Sequence, residues 1–252
     1  MSMNVFFETN KGLMRENNED SLIVEQFDNY CLYAVADGMG GHKAGEVASS
    51  IAIEEIRNLF VESVGNEDFQ PPSFIIESVK ISNDKIREKS FSNEECCGMG
   101  TTVTMAVLDK NNDIIYIGNI GDSRAYLLRN NEIKQITTDH TYVNELMKDG
   151  KITQEEAKTH PKRNVITRAL GSEDYVHADI FELELYKNDI FLLCTDGLTT
   201  HVSDDRMLEI IKEYGTSESV QKLIKQANDN GGTDNITIII VDNIIRGETY
   251  DR

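Results

Sequence analysis

Residues 30–38 read YCLYAVADG, an apolar run that ends in an aspartate beside a glycine. Short apolar runs bounded by glycine and polar residues indicate β-strands. A glycine beside a carboxylate lets a ligand approach the backbone closely, so a main-chain carbonyl can join a binding site. The pairing recurs at the ends of the apolar runs 114–120 and 190–195, with Asp122 and Asp196. The run 235–241 is preceded by Asp234, which follows Gly231-Gly232-Thr233.

Strand-like and helical segments follow one another in blocks rather than in strict alternation. Apolar residues at helical spacing predict helices over 45–60, 73–89, 203–214 and 217–228. The runs with strand character are 5–8, 21–26, 30–36, 101–108, 114–119, 125–128, 132–136, 180–185, 190–194 and 235–241. This order favours an α+β fold over a repeated strand–helix–strand unit. Because no internal repeat or linker is evident, we predict a single domain over residues 1–252.

Residues 139–171 interrupt the block order with a polar stretch that contains two short helical patterns. It carries His140, His160, Lys162, Arg163 and Arg168. An excursion of this length within a compact fold is typical of a lid or binding loop. We therefore predict a flap-like insert.

The charge balance excludes several classes of partner. Lys and Arg number 25 against 44 Asp and Glu, for a net charge of −19. Such an acidic chain lacks the electrostatic footprint of a nucleic-acid-binding protein. No apolar stretch reaches the length of about 18–20 residues that a membrane span needs, and no secretory signal pattern is present. We expect a cytoplasmic protein without a membrane partner, with Cys31 and Cys194 as buried free thiols.

Aspartates that gather at one sheet edge would repel one another. Like charges raise each other's pKa, and a divalent cation removes the conflict. All-oxygen ligands select Mg²⁺, Mn²⁺ or Ca²⁺, and no His/Cys cluster favours zinc. The alternative is that these aspartates are ordinary turn residues, since Asp-Gly is a favoured turn pair. That alternative explains one pair more readily than the repeated set.

Arg15 opens the acidic stretch RENNED at residues 15–20. Its planar guanidinium matches the geometry of phosphate or carboxylate, which a lysine does not reproduce. An arginine in this position suits an anionic substrate held against a metal. The alternative is a surface ion pair.

Six motifs resemble the metal-dependent serine/threonine protein phosphatases of type 2C. They are RENNED (15–20), VADGMGGH (35–42), GMGTT (98–102), GDSRAY (121–126), CTDGL (194–198) and GTDNI (232–236). The stretch from Asp139-His140 to RNVITRALG (163–171) is similar to the bacterial branch, whose members oppose serine/threonine kinases. The resemblance covers about residues 9–241. It implies a four-layer α-β-β-α sandwich, with two central antiparallel sheets flanked by helix pairs.

The resemblance implies two Mn²⁺ or Mg²⁺ ions, with a position for a third. Asp37 would bridge two ions, and Gly38 would offer its carbonyl oxygen. Asp196 and Asp234 would hold the first ion.

Three further roles come from the same resemblance. Glu19 and Asp20 would act on the second ion, directly or through water, and which of them is a ligand stays open. Asp122, with Asp196, matches the third metal position of bacterial members. Arg15 would bind the substrate phosphate, while Thr101 and Thr102 would support the site.

The implied reaction is direct attack of metal-activated water on phosphorus, without a phosphoenzyme. Animal relatives carry a histidine directly after the Asp-Gly pair, proposed as general acid, and this chain has Met39 there. His42 would protonate the leaving group, or else it braces the following helix. Both readings stay open.

The expected partners are phosphorylated proteins and a cognate serine/threonine kinase, with the chain itself a monomer. Lys162 and Arg163 would bind phosphoproteins. One alternative is a stress-pathway phosphatase with the same chemistry and one dedicated substrate. Another is a non-catalytic metal-sensing module, which should have lost at least one ligand, whereas none is missing here.

Overall fold

The computed structural model describes residues 3–40 and 44–244, and two antiparallel sheets form its centre. The strands of the first sheet are, in spatial order, β1 (Asn4–Asn10), β11 (Ile236–Asp242), β10 (Ile190–Cys194), β7 (Arg124–Arg129) and β8 (Glu132–Gln135). Those of the second sheet are β2 (Asp20–Gln26), β3 (Tyr30–Met39), β5 (Val103–Asp109), β6 (Ile114–Ile120) and β9 (Asp179–Glu184). A short strand, β4 (Gly100–Thr101), pairs with the end of β3.

A helical layer covers the outer face of each sheet. α1 (Ala44–Ser63) and α2 (Pro71–Ser92) pack on the second sheet, and α5 (Asp196–Thr199) with α6 (Asp204–Asp229) packs on the first. Gly215, at φ 69°, interrupts the helical geometry of α6, which divides it into the two halves that the sequence predicts. The predicted α+β fold, a four-layer α-β-β-α sandwich, is confirmed.

Burial on both faces explains why β3 is apolar throughout instead of alternating with polar residues. Successive side chains of a strand point to opposite faces. Cys31, Tyr33 and Val35 pack into the core between the two sheets. Leu32, Ala34 and Ala36 pack beneath the helices. Because β3 has no solvent-facing side over these residues, every position along the run is apolar or small.

The segment between β8 and β9 carries the chain from the first sheet to the second. It contains two short helices, α3 (Tyr142–Lys148) and α4 (Gln154–Thr159), as the helical patterns predict. The hydroxyl groups of Thr141 and Thr153 cap their first turns by accepting backbone N–H groups. Such caps let short helices form outside the packed layers.

One predicted strand is wrong in its extent, because 101–108 is divided into β4 and β5. The break falls at Thr102, whose backbone N–H donates to the Asp37 carbonyl at 2.9 Å and whose hydroxyl accepts the Asp37 N–H at 3.0 Å. These bonds turn Thr102 toward the end of β3 and out of the regular ladder.

The long helices bury one face and leave the other in solvent. Within residues 3–40 and 44–244, none combines the length and the apolar character needed to cross a membrane. Cys31 and Cys194 are buried free thiols, as predicted.

Candidate metal centre

The antiparallel pairing of β2 with β3 brings Asp20 opposite Asp37 at one end of the second sheet. Directly opposite residues of antiparallel strands place their side chains on the same face, with Cβ atoms about 4.5–5.5 Å apart. The neighbouring residues are joined too, since the Gly38 N–H donates to the Glu19 carbonyl at 3.1 Å. The strand register therefore brings two carboxylates together.

The first sheet contributes Asp196 and Asp234 to the same edge. Asp196 is the first residue of α5, two positions after the end of β10, and Asp234 lies two positions before β11. The two strands are antiparallel neighbours, so the end of one adjoins the start of the other. The Thr195 N–H donates to the Thr237 carbonyl at 3.1 Å and fixes this junction.

Two threonine hydroxyl groups join the sheets through Asp20. Thr195 Oγ1 and Thr237 Oγ1 donate to Asp20 Oδ2 at 2.9 and 2.6 Å. Asp20 is 8% exposed, and its other oxygen, Oδ1, has no hydrogen-bond partner among the described residues. Sequence reasoning missed both threonines as site residues. They lie 175 and 217 positions from Asp20, and their closeness to the Asp196 and Asp234 motifs was the only available signal.

Burial and mutual repulsion raise the pKa of the carboxyl groups in this cluster. Burial raises the pKa of Asp20 to about 7, against the lowering effect of the two threonine hydroxyls, and Asp196 and Asp234 add to the rise. Burial, followed by the charge of Asp196, raises the pKa of Asp122 to about 8. The pKa of Asp37 lies well above its ordinary value, through burial and then the charge of Asp20. A positive charge would let the cluster ionise.

The unpartnered oxygens of the cluster fit a hard divalent cation. The Oδ1 atoms of Asp20, Asp122 and Asp196 are buried, and none has a hydrogen-bond partner within residues 3–40 and 44–244. Carboxylate oxygens suit Mg²⁺, Mn²⁺ or Ca²⁺. Among the described residues, no group of three or more Asp, Glu, His or Cys side chains is arranged so that the group alone could hold a metal ion. An ion such as Mg²⁺ keeps several of its waters, so it needs few protein ligands.

Gly38 lies where the backbone leaves no room for a side chain. A Cβ atom at this position would collide with the Gly45 carbonyl oxygen and lie 2.6 Å from that of Glu19. Glu19 is itself held in place, because its N–H donates to Asn235 Oδ1 at 2.8 Å. Burial raises the pKa of the half-buried Glu19 carboxyl, and Arg15 lowers it. Glu19 and Asp20 both lie at the edge.

Thr101 and Thr102 hold the backbone of Asp37. Thr101 Oγ1 donates to the Asp37 carbonyl at 2.9 Å, and the Asp37 N–H donates to Thr102 Oγ1 at 3.0 Å. The Thr102 hydroxyl also pairs with that of Ser123 at 2.9 Å. These contacts match the supporting role expected from the sequence.

Arg15 contacts the cluster through Asp234. Its Nη2 atom lies 2.7 Å from Asp234 Oδ2, and its Nε donates to the Thr233 carbonyl at 3.3 Å. The Arg15 side chain is 50% exposed. The guanidinium therefore stands beside the carboxylates while part of it remains open to solvent.

A cleft of about 700 Å³ extends from the cluster toward α3 and α4. Asp122, Asp196 and Arg163 lie along its wall. Lys162 does not line the cleft, and its ammonium group instead lies 5.1 Å from the centre of the Tyr142 ring. The structure thus brings one of the two predicted basic residues to the cleft.

His42, the candidate general acid, lies outside the described residues, between β3 and α1. Met39 is the last residue of β3. The choice between an acid and a bracing role for His42 is therefore unchanged.

Clustered carboxylates beside an arginine define a class of protein, the metal-dependent enzymes of phosphoryl transfer. The family model described as Protein phosphatase 2C matches residues 5–236, and the chain belongs to this family. The resemblance read from the sequence motifs is thereby confirmed, and the chain is a metal-dependent phosphoprotein phosphatase.

Relatives of known name and structure share nearly the whole chain. Serine/threonine phosphatase Stp of Listeria monocytogenes is 39% identical over 245 residues, which are 95% of this chain and 96% of that protein. The crystal structure of serine/threonine phosphatase Stp1 from Staphylococcus aureus has a TM-score of 0.88 and 37% identity, covering 98% of this chain and 96% of that one. The catalytic domain of PstP in complex with two manganese ions has a TM-score of 0.82 and 36% identity, covering 95% and 97%.

Proposed function

We propose that this chain hydrolyses phosphoserine and phosphothreonine in proteins, with two Mn²⁺ or Mg²⁺ ions and a position for a third. The observation that carries the proposal is the cluster of buried carboxylates with unpartnered oxygens beside Arg15. The names of the similar phosphatases support the substrate class, and the PstP structure with two manganese ions supports the metal.

The carboxylates divide into bridging and terminal metal ligands in this proposal. Asp37 would be a shared ligand of both ions, the Gly38 carbonyl would bind one of them, and Asp196 and Asp234 would hold the other. The position of Asp37 among the other aspartates supports its bridging role, because each neighbouring charge contributes to its raised pKa.

Asp20, Glu19 and Asp122 complete the proposed ligand set. The buried Oδ1 of Asp20 has no partner among the residues that the structure describes, which supports contact with an ion or its water. Glu19 is more open and acts beside Asp20. Asp122 holds the third ion with Asp196, and the unpartnered Oδ1 atoms of both support this pairing.

Bound divalent cations supply an activated water at neutral pH and neutralise charge on the phosphoryl group. Arg15 binds the phosphate oxygens with its planar donor fork. Its side chain is half exposed while it pairs with Asp234, so the guanidinium is accessible to a phosphate. We assign His42 to protonation of the leaving alkoxide.

The segment 139–171 binds the polypeptide around the phosphorylated residue. Arg163 on the cleft wall supports this role, with Lys162 as a second basic contact. The strongly negative chain otherwise repels acidic phosphopeptides. The proposal includes a single domain over residues 1–252, a monomeric state, a cytoplasmic location and a cognate serine/threonine kinase whose products are the substrates.

Hydrolysis of a phosphothreonine peptide by the full chain tests the proposal. We expect phosphate release with Mn²⁺, none with EDTA, and a loss of activity in Asp37→Asn. Asp28→Asn is the matched control, because Asp28 is an exposed aspartate in the turn before β3. A folded, Mn²⁺-binding chain that releases no phosphate would favour the non-catalytic metal-sensing module instead.

A further inference from the structure

His140 is a buried imidazole at the start of the polar segment that follows β8, with only 5% of its surface exposed. It forms a reciprocal pair of hydrogen bonds with Gly121. The His140 N–H donates to the Gly121 carbonyl at 2.9 Å, and the Gly121 N–H donates to His140 Nδ1 at 3.0 Å. One histidine thus satisfies both backbone groups of the residue that precedes Asp122.

Gly121 has a conformation that only glycine adopts readily, with φ at +100°. A Cβ atom here would also collide with the methyl group of Thr102. Because the turn sets where the next residue points, the two bonds from His140 fix the direction of Asp122. The buried Oδ1 of Asp122 has no hydrogen-bond partner in the part of the chain that the structure describes.

The bond to Gly121 determines the tautomer of His140. Nδ1 must be an acceptor, so the ring proton lies on Nε2. Nε2 lies 3.1 Å from Asp179 Oδ2 and 3.0 Å from Arg168 Nη1. Because a guanidinium nitrogen can only donate, Asp179 Oδ2 is the acceptor for the Nε2 hydrogen. Burial lowers the pKa of His140, which keeps the ring neutral.

Asp179 links the imidazole to the end of the polar segment. Its Oδ1 atom accepts a hydrogen bond from Arg168 Nη1 at 2.7 Å. The adjacent Thr167 N–H donates to the His140 carbonyl at 2.8 Å. Both ends of the segment 139–171 therefore meet at His140, next to the Gly121–Asp122 turn.

We propose that His140 is a positioning residue, which orients Asp122 for metal binding and connects that aspartate to the polar segment through Asp179 and Arg168. The inference rests on the proposed function only in taking Asp122 as a metal ligand. Residues that orient metal ligands typically contribute a factor of about 10–100 to metal affinity.

Calorimetric titration of the full chain with Mn²⁺ measures this effect without any phosphatase assay. Asp122→Asn first identifies the binding event that depends on Asp122. We expect His140→Leu, which removes the acceptor, to weaken that event about 10–100-fold and leave the tighter events unchanged. His140→Asn places an amide oxygen close to the Nδ1 position, so it should retain affinity within about threefold of the wild type.

A double-mutant cycle separates positioning from a general structural effect. In the Asp122→Asn background, His140→Leu should cause no further loss of Mn²⁺ affinity, because the group it orients is already gone. Asp179→Ala should weaken the same event, since it leaves the Nε2 proton without an acceptor. Asp179 is partly exposed, so this variant tests the proposal even when His140→Leu does not fold.

His177→Leu serves as the control, because His177 has an exposed side chain two residues before Asp179. The proposal would be overturned if the losses of Mn²⁺ affinity were additive in the double mutant. It would also be overturned if His140→Asn weakened Mn²⁺ binding as much as His140→Leu, or if Asp179→Ala bound Mn²⁺ like the wild type. An Asp122→Asn chain that binds Mn²⁺ like the wild type would overturn it as well. Failure of the proposed function would look different, with the binding pattern intact and no phosphate release from a phosphothreonine peptide.

Discussion

Replacing Thr237 with valine keeps the shape of the side chain and removes one hydroxyl donor to Asp20. That donor lies 2.6 Å from Asp20 Oδ2, and Thr195 Oγ1 remains as the second donor at 2.9 Å. A hydrogen bond to a charged group contributes about 1.5–3 kcal/mol. Because about 1.36 kcal/mol corresponds to one pKa unit, Thr237→Val should raise the pKa of Asp20 by at least about one unit.

The higher pKa should weaken metal binding near neutral pH. With a pKa of about 7, the Asp20 carboxyl is about half ionised at pH 7. A pKa one unit higher leaves about one tenth of it ionised, so apparent Mn²⁺ affinity should fall about fivefold at pH 7. The deficit should shrink toward about pH 9, where protons no longer compete with the metal.

Calorimetric titration of the full chain with Mn²⁺ at both pH values measures this dependence. Ser78→Ala is the control, because it removes a buried hydroxyl group from α2 that bonds only the Phe74 carbonyl. We expect normal Mn²⁺ affinity in that variant. Wild-type affinity in Thr237→Val at pH 7, or an equal deficit at both pH values, would refute the reasoning about Asp20.

Three more predictions follow from the same geometry. Gly38→Ala should lower the free energy of unfolding in urea by about 1–3 kcal/mol, because its Cβ would collide with the Gly45 carbonyl. An unfolding curve like that of the wild type would contradict the predicted collision. The raised pKa values of Asp20 and Asp122 mean that the metal-free folded chain binds more protons than the unfolded chain, so its stability should fall as pH rises from about 4 to about 8. Mn²⁺ should therefore raise the melting temperature more near pH 8 than near pH 5, and calorimetry showing equal increases would speak against the metal site. The double variant Lys162→Ala/Arg163→Ala should have a raised KM for phosphopeptides but an unchanged KM for a small aryl phosphate, with most of the effect from Arg163. Equal changes in KM for both substrates would exclude peptide binding by this segment.

The strands and the position of the carboxylates were predictable because both depend on local patterns. An apolar run such as 30–36 indicates a buried strand, and the Asp-Gly pair after it marks the strand end. The antiparallel register then places Asp20 opposite Asp37 without further information. The repeated pairing therefore predicted the edge of the sandwich at which the carboxylates meet.

Contacts between distant segments were not predictable from single positions. Thr195 and Thr237 belong to the first sheet, yet their hydroxyl groups bind an aspartate of the second. The division of 101–108 also depends on a distant partner, because Thr102 bonds the backbone of Asp37. Likewise, Lys162 packs against Tyr142 only in the folded polar segment. From the sequence alone, Lys162 and its neighbour Arg163 were therefore both predicted to bind substrate.

The number of Mn²⁺ ions that the full chain binds, with and without Asp37→Asn, tests most directly whether this sheet edge is the metal centre. Asp37 stands among the other carboxylates, and all of them raise its pKa through their charges. We predict at least two bound ions in the wild type and loss of high-affinity binding in Asp37→Asn. Unchanged stoichiometry and affinity in a folded Asp37→Asn chain would contradict the account.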